Sequence, residues 1–528
     1  MLTDKPRRAQ SADSADAPVN GRPAGIAARL AAWSHKGDAG APGSVKIALW
    51  QGFVAAMLML LGSIGVGWLA TSSTLIRVPV FIAARTTPLG VITCTVLLCF
   101  GALLLVRSWL RLAQRVGAWD ASARPVLFKA LLLWGLPLLL ALPLFSRDLY
   151  AYIGQGRLMS QGLNPYTNGI SALNNYYQLG PDTLWTEAPT PYGPLFLWIE
   201  QFAVWVGFGI PEISLLAFRL AAAAGVVLLV VFVPRLAALH GVNPQRALWL
   251  TVLNPVLLIN FVASAHNDSL MLGLVVAGIY FAATKKPLLG IVLITASIAV
   301  KPITLIALPF VGLLWAGSGA GWRRKFSCWA GTFVLSMGLL WVAGAVNGLG
   351  FGWVAALRTS STVWIWYAPI GSLGAVLGFF TDLLGGPGEA ATSVVHLIGT
   401  VLSVLAVVWL AFRGTAGANF SATVLRRMAW AFAAVVLLAP MIQPWYMVWL
   451  LVFFGLTGIK ENWQLRMVLF LTAFFMLVAL TDQLSVFQWI PIGVVRAVAI
   501  VVGVSFALYM VFFDRKTRVL FLRPAELP

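Results

Sequence analysis

The chain has 528 residues, of which 60% are hydrophobic and only 10% are charged, and its mean hydropathy is +0.88. So few charges do not cover the surface of a soluble protein of this size, which excludes that class. The net charge of +19 does not indicate nucleic-acid binding, because Arg and Lys occur in short clusters between apolar runs. The composition therefore predicts an all-α polytopic membrane protein, without the alternating strands of a barrel.

In chain order, residues 1–45 come first and are rich in Ala, Pro, Gly and charge, which predicts a disordered tail. Apolar runs then recur over 46–512 and predict about 13–14 transmembrane helices, followed by a second tail at 513–528. The predicted spans are 48–70, 89–106, 126–145, 214–235, 247–263, 268–284, 287–300, 302–317, 327–346, 391–412, 427–442, 445–459, 466–481 and 490–512. Pro302 and Pro444 each divide a long run, which predicts two helical hairpins.

The distribution of Lys and Arg predicts that both termini are cytoplasmic. The loop 146–213 then lies outside, with two Arg against five acidic residues, and 347–390 forms a second outer loop. The loop 71–88 is an exception, because it carries Arg77 and Arg85 outside. This path also requires the apolar segment 194–209 to lie along the outer surface as an interfacial helix.

The predicted topology brings polar residues from distant segments to the outer face. Asp148 directly follows a predicted span, where a charge is costly unless it has a function. The other residues at this face are Arg157, His266, Asn267, Asp268, Lys301, Trp364, Trp366, Tyr367, Gln443, Trp445, Tyr446 and Asp482, with Arg219 about one turn inside its span. Their clustering predicts one extracytoplasmic site at the edge of the bilayer.

Each of these residues also has a purely structural interpretation. Asp148 is placed to pair with Arg147 or to cap the following helix, and the triplet 266–268 is also typical of a hairpin turn. Lys301 is placed to extend to the membrane interface, and the aromatic residues are typical of an interfacial belt. The chain has no Cys/His metal set, Walker loop or nucleophile elbow. A carboxylate, amides and aromatic faces suit a sugar, whereas Lys and Arg at this depth suit a lipid phosphate.

Five segments in order also carry a family resemblance. They are SRDLYAYIGQGRLMSQGLNPY at 146–166, APTPYGPLF at 188–196, LNPVLLINFVASAHNDSLMLGLVVAGI at 253–279, ITASIAVKPITLIALP at 294–309 and PMIQPWYMVW at 440–449. Over nearly the whole chain except the N-terminal tail, the sequence resembles GT-C glycosyltransferases that use polyprenyl-phosphate sugars. More narrowly, it resembles the actinobacterial polyprenol-phosphomannose-dependent α-(1→6)-mannopyranosyltransferases that build the mannan core of lipomannan.

The resemblance implies a GT-C-type fold and an inverting transfer of mannose from polyprenyl (decaprenyl) phosphomannose to the 6-hydroxyl of a mannan or lipomannan acceptor. The site would face outward from the plasma membrane. Asp148 is then the expected general base. Lys301 and Arg219 are the expected ligands of the donor phosphate, with Arg157 or His266 as alternatives. The expected sugar-binding residues are Tyr150, Tyr152, Gln155, Tyr192, Asn267, Asp268, Trp366, Tyr367, Gln443, Trp445 and Tyr446. The expected partners are the lipid-linked donor, a glycolipid or mannan acceptor and membrane lipids, without a cofactor or metal site; a divalent metal requirement stays open.

The chain departs from the family pattern in two ways. Two predicted spans precede the loop that carries Asp148, whereas many GT-C enzymes place this residue after the first span. The chain also lacks a large soluble domain after the last span, so acceptor selection would fall to the loops 146–213 and 347–390. Two alternative functions stay open: a transporter or flippase for a lipid-linked sugar, and a GT-C enzyme that uses polyprenyl-phosphate arabinose.

Overall fold

The structure is a computed structural model, and it describes residues 44–356, 364–414, 419–459, 462–482 and 484–522. Those residues form helices joined by turns, and they contain no strand. In chain order the helices are α1 Val45–Val66, α2 Pro79–Thr86, α3 Pro88–Arg115, α4 Ala123–Leu140, α5 Asp148–Ser160, α6 Pro194–Gly207, α7 Pro211–Leu239, α8 Pro244–Leu250, α9 Pro255–Ala263, α10 Asp268–Ala283, α11 Pro287–Val300, α12 Pro302–Ala316, α13 Trp322–Val346, α14 Gly352–Ala356, α15 Pro369–Leu383, α16 Gly388–Phe412, α17 Phe420–Leu437, α18 Pro444–Thr457, α19 Asn462–Asp482, α20 Ile492–Phe513 and α21 Arg518–Leu522.

Within the described ranges, nine helices are long and apolar enough to cross a membrane: α1, α3, α4, α7, α13, α16, α17, α19 and α20. Helices α8 and α9 together would make a tenth span, bent by 54°. The all-α polytopic membrane fold predicted from composition is therefore confirmed. The number of spans differs from the prediction, because α10, α11, α12 and α18 each have only 10–17 residues. A straight crossing of the hydrocarbon core takes about 20 residues.

The two proline breaks that were predicted from the sequence are present. Lys301 ends α11 in an extended conformation, and Pro302 is the first residue of α12. Likewise, Pro444 is the first residue of α18 after the extended Gln443. Proline lacks a backbone N–H and has a fixed φ, so it is accommodated at the first position of a helix. Each break leaves the residue before the proline at a helix end.

Helix α6 corresponds to the segment that was expected to lie along the surface. It has 14 residues, which is about 21 Å of helix and shorter than the ~30 Å hydrocarbon core. It packs between α5 and α7. The segment 347–390, predicted as an outer loop, contains α14 and the apolar α15, while its residues 357–363 lie outside the described ranges, as does most of the predicted N-terminal tail. In the C-terminal tail, α21 buries Leu520 and Phe521.

Arg85, an exception to the predicted charge distribution, has a structural role inside the fold. Its side chain is only 5% exposed. It donates hydrogen bonds to the carbonyls of Ile64 and Gly67, at 3.0 Å and 2.9 Å, where α1 ends. The last carbonyls of a helix have no partner within the helix, and a basic side chain satisfies them. Arg85 is therefore an internal cap and carries little information about topology.

Two left-handed turns place the segments that form the candidate site. Phe145 and Ala265 have φ values of 62° and 49°, a conformation that is uncommon for residues with a side chain. The Ser264 hydroxyl donates a hydrogen bond to the carbonyl of Leu144, and this contact joins the two turns. The first turn leads to Asp148 at the start of α5, and the second leads to His266 just before α10. Such backbone strain is often found at functional sites.

Candidate active site

Asp148 is the first residue of α5, and its carboxylate lies at the meeting point of two cavities. Its backbone N–H donates to the Ser146 hydroxyl at 3.0 Å. Its side chain is 18% exposed, so a ligand in either cavity reaches it. Arg147 does not pair with it: the Arg147 guanidinium lies 3.8 Å from the centre of the Trp68 ring. The interpretation of Asp148 as a partner of Arg147 is therefore wrong.

His266 lies directly behind the Asp148 carboxylate. Its Nδ1 is 3.3 Å from Oδ2 of Asp148, and its ring is completely buried. The ring stacks on Trp445, with centroids 3.8 Å apart and planes inclined by 28°. Burial acts to raise the pKa of Asp148, but the interactions with His266 and Lys301 outweigh it and lower that pKa. Asp148 is consequently an ionised carboxylate at neutral pH.

Lys301 forms a two-pronged ion pair beside Asp148. Its Nζ lies 2.9 Å and 2.8 Å from the two carboxylate oxygens of Asp268, which is almost fully buried. Nζ is also 5.2 Å from the centre of the Tyr446 ring and 5.5 Å from that of Trp449, within the range of cation–π attraction. The Lys301 ammonium group is therefore surrounded by aromatic rings, and 14% of its side chain is still exposed.

Gly193 brings Tyr192 close to Lys301. Its N–H donates to the carbonyl of Val300 at 3.2 Å, and a Cβ at this position would lie 2.5 Å from the carbonyl oxygen of Ala299. Only glycine permits this approach of the 188–196 loop to the end of α11. The Tyr192 ring centre is consequently 6.0 Å from Lys301 Nζ.

The first cavity, here called the apolar cavity, has a volume of about 630 Å³. One end contains Asp148, Gln155, Tyr192 and Lys301. Its walls continue along apolar side chains of α12, α16 and α17, among them Ile306, Val404, Val407, Val408, Val435 and Val436. Val404 and Val408 of α16 are about half exposed at the surface of the molecule. The cavity thus joins a charged end to a long hydrocarbon surface.

The second cavity, here called the aromatic cavity, has a volume of about 390 Å³. Its lining includes Trp364, Trp366, Tyr367, Asn260 and the carboxylates of Asp182 and Asp482. Aromatic faces beside amide and carboxylate groups are typical of a site for a small polar ligand. The two cavities share the side chains of Asp148, Trp185, Met441, Gln443 and Trp445.

The structure brings most of the sequence-predicted residues together. The predicted residues that line one or both cavities are Asp148, Gln155, Tyr192, Lys301, Trp366, Tyr367, Gln443, Trp445 and Tyr446. His266 and Asp268 do not line either cavity, but each contacts a residue that does: His266 contacts Asp148, and Asp268 contacts Lys301. Asn267 is also buried, and its side-chain amide has no hydrogen-bond partner among the described residues.

The other predicted residues lie outside both cavities. Arg219 donates a hydrogen bond to the carbonyl of Ala141, beyond the end of α4. Arg157 lies in the last turn of α5. The Tyr150 hydroxyl donates to the carbonyl of Trp68 at 2.9 Å. Tyr152 packs edge-on against Tyr192, with ring centres 5.4 Å apart. The geometry supports structural contacts for Arg219, Tyr150 and Tyr152.

Sequence reasoning missed several residues that line the cavities. Trp449 follows Trp445 by four residues on α18, so the two side chains share a helix face, and this spacing was a usable signal. Trp185 lies in a 3₁₀ turn, Thr183–Trp185, that begins after Asp182, and the sequence carries no comparable signal for it. In the part of the chain that the structure describes, no group of three or more His, Cys, Asp or Glu residues is arranged to hold a metal ion.

Comparisons with known proteins agree with the resemblance. The family model described as "Alpha-(1->6)-mannopyranosyltransferase, N-terminal domain" matches residues 49–317, and the "MptB C-terminal domain" matches 367–508. The chain is 33% identical over 444 residues to a probable alpha-(1->6)-mannopyranosyltransferase of Mycolicibacterium smegmatis. The aligned region covers 76% of this chain and 77% of that protein.

Two relatives from Mycobacterium tuberculosis are also similar. Alpha-(1->6)-mannopyranosyltransferase A is 33% identical over 408 residues, covering 75% of this chain and 78% of the relative. A further alpha-(1->6)-mannopyranosyltransferase is 29% identical over 523 residues, covering 86% of each chain. No solved structure matches this chain. The chain belongs to the α-(1→6)-mannopyranosyltransferase family.

Proposed function

We propose that this protein transfers mannose from polyprenyl-phosphate mannose to the 6-hydroxyl of a mannoside acceptor, on a glycolipid or mannan, and forms an α-(1→6) linkage. One observation carries the proposal: the Asp148 carboxylate lies on the wall shared by an apolar cavity and an aromatic cavity. A transferase for a lipid-linked sugar needs such a base between its two substrates.

The apolar cavity suits the donor. Its hydrocarbon walls fit a polyprenyl chain, and Lys301 at the charged end is positioned for the phosphate. An ammonium group has three N–H donors, so the contact with Asp268 leaves capacity for a phosphate oxygen. Lys301 would also stabilise the negative charge that develops on the leaving phosphate. The partly exposed valines of α16 offer the lipid chain a lateral path to the bilayer.

The aromatic cavity suits the acceptor mannoside. Trp364, Trp366 and Tyr367 present ring surfaces, and Gln443 and Asn260 present hydrogen-bonding groups. In the proposed step, the acceptor 6-oxygen bonds to the anomeric carbon and gives its proton to Asp148. The bond from that carbon to the phosphate oxygen breaks, and polyprenyl phosphate leaves with the electron pair. A single displacement converts a β-linked donor into an α-linked product.

The site would face the extracytoplasmic side of the plasma membrane. This orientation follows from the distribution of Lys and Arg along the sequence, which makes 146–213 an outer loop. We also infer that the reaction uses no organic cofactor, because base, phosphate ligand and sugar platforms all come from the chain.

Reconstitution in vesicles tests the proposal. The purified protein receives polyprenyl-phosphate mannose and a synthetic α-mannoside, and the product linkage is read by nuclear magnetic resonance. The expected product is an α-(1→6)-linked disaccharide, and the matched polyprenyl-phosphate arabinose should give none. Arabinose transfer alone would replace the donor assignment. Movement of the donor across the vesicle membrane without transfer to any acceptor would identify a transporter and overturn the proposal.

A further inference from the structure

A third cavity continues from the aromatic cavity on the side away from the donor. This charged cavity has a volume of about 590 Å³ and shares Arg147, Asp182 and Asp482 with the aromatic cavity. Its other side chains include Trp68, Gln488 and Arg496. Asp148 lines the apolar and aromatic cavities but not this one. The cavities therefore follow one another as donor site, acceptor site and an extension of the acceptor site.

The charged cavity has an even balance of formal charge. Arg147 and Arg496 contribute two positive charges, and Asp182 and Asp482 contribute two negative charges. None of the three ion pairs found in the described part of the chain joins these four side chains. Oδ1 of Asp182 accepts a hydrogen bond from the Leu184 N–H at 3.0 Å, and the cavity lining offers both N–H donors and carboxylate acceptors. Such a lining favours a neutral ligand with many hydroxyl groups over a strongly charged one.

Arg147 is held in place for contact with a ligand. Its guanidinium carbon lies 3.8 Å from the centre of the Trp68 ring, and its Nε is buried without a hydrogen-bond partner among the described residues. Arginine in such a fixed orientation loses little conformational freedom when it binds. Because Arg147 precedes Asp148 in the chain, it connects the point of reaction to the charged cavity.

We propose that the charged cavity is an acceptor subsite that binds neutral mannose residues located beyond the residue that reacts at Asp148. This inference rests on the proposed function, because it assumes that the aromatic cavity holds the reacting acceptor sugar. The enzyme would accordingly favour acceptors that already contain several linked sugars. Arg496 and Gln488 are specificity-determining residues in this account, since they line the charged cavity alone.

Transfer kinetics on α-(1→6)-linked oligomannosides of increasing length test the subsite. The wild-type kcat/KM should rise by about tenfold from a single mannoside to a three-sugar acceptor, the effect of one or two added hydrogen bonds. Arg496→Gln should lose most of this rise. Arg77→Gln removes an exposed charge from the Thr74–Arg77 turn, outside all three cavities, and serves as the matched control. It should keep the wild-type dependence on length.

Three outcomes would overturn the inference. The first is a wild-type kcat/KM that is independent of acceptor length, and the second is an Arg496→Gln variant that loses activity equally on all acceptors. The third is a loss confined to oligomannosides that carry a reducing-end phosphate, which would identify an anion site. In each case wild-type transfer persists, so the proposed function stands.

Direct binding separates the subsite from catalysis. In an Asp148→Asn background, the affinity for the three-sugar acceptor is measured by thermophoresis with and without Arg496→Gln. Weaker binding with Arg496→Gln supports the subsite even when no transfer is measured, and equal binding contradicts it.

Discussion

At the residue scale, the central feature is a carboxylate kept ionised in a partly enclosed place. Asp148 contacts His266 on one side and faces Lys301 across the end of the apolar cavity. Both neighbours favour the charged form of the carboxylate against the effect of burial. The cost is weak intrinsic basicity, so the proton of the acceptor hydroxyl must transfer late, as the new bond forms.

The acid limb of the pH profile tests the role of His266. The pKa of Asp148 is lowered from the ordinary carboxyl value of about 3.9. In the wild type, kcat/KM should therefore fall only when the pH drops below that value. His266→Gln removes a stabilising neighbour, so burial weighs more and the acid limb should move upward by about one pH unit. An unchanged acid limb with reduced activity would show that His266 does not set the ionisation of Asp148.

The Lys301–Asp268 pair permits a separation of stability from function. Lys301→Met leaves the buried Asp268 carboxylate without its partner and should destabilise the protein by about 3–5 kcal/mol. Lys301→Met combined with Asp268→Leu should recover most of this loss, because a buried ion pair is replaced by apolar side chains. Thermal unfolding in detergent measures both effects.

The same double variant tests the phosphate contact. Its transfer activity should stay low, with a raised KM for the donor, since the cation at the charged end of the apolar cavity is gone. A double variant with wild-type stability and wild-type donor KM would contradict the assignment of Lys301.

The sequence predicted the role of some of these site residues but not their contacts with one another. Asp148 was predicted because a carboxylate directly follows a long apolar run, which is costly without a function. Its contact with His266 was not predictable, since it depends on left-handed turns at Phe145 and Ala265 that no sequence pattern announces. Arg219 was placed with the donor phosphate because it lies near the outer face, but local geometry directs it to a helix end.

At the scale of elements, short helices and chain breaks carry the site. Asp148, Lys301 and Gln443 all lie at helix ends, where backbone and side chains point into the cavities. The proline breaks were predicted at Pro302 and Pro444, because proline interrupts a helix in its interior but is accommodated in its first turn. The sequence also predicted the ends of α10 and α11 to within one residue, at 268–284 and 287–300, but not whether such short apolar helices cross the membrane.

Helix α6 contains a second buried carboxylic acid whose ionisation is testable. Glu200 is fully buried, and neither carboxylate oxygen has a partner within the described residues. Burial raises its pKa well above the usual range, so the folded protein holds a proton that the unfolded chain releases above about 4.3. Stability should therefore fall as pH rises, by up to about 1.4 kcal/mol per pH unit from this group.

Glu200→Gln removes this dependence while preserving the shape of the side chain. The difference in Tm between this variant and the wild type should grow in favour of the variant from pH 4.5 to 7.5. Glu187→Gln changes an exposed side chain in the same loop and should show a constant difference. A constant difference for Glu200→Gln would mean that Glu200 is not a buried neutral acid.

At the scale of the whole molecule, the orientation of the fold is a prediction from charge. The described cysteines Cys94, Cys99 and Cys328 are all buried, so they give a low background for thiol labelling. A cysteine introduced by Asn174→Cys, in the loop 146–213, should react with a membrane-impermeant maleimide on intact cells. Lys286→Cys, in a predicted inner loop, should react only after lysis. The reverse pattern would place the candidate site on the cytoplasmic side.

Composition predicted the class of the whole molecule, because only a membrane accommodates so apolar a chain. The three-cavity arrangement was beyond reach, since it joins side chains from helices that are distant in sequence. The aromatic cavity, for example, unites Trp185 with Trp366 and Asp482. Such long-range juxtapositions depend on helix packing and not on any local pattern.

The most direct test of the account is the transfer rate of Asp148→Asn. Asparagine preserves the shape of the side chain but cannot accept the proton, so the rate from polyprenyl-phosphate mannose should fall by at least about 100-fold. Donor affinity should stay near that of the wild type, and Glu187→Gln should keep wild-type activity. A transfer rate of Asp148→Asn comparable to the wild type would contradict the assignment of Asp148 as the base between the two cavities.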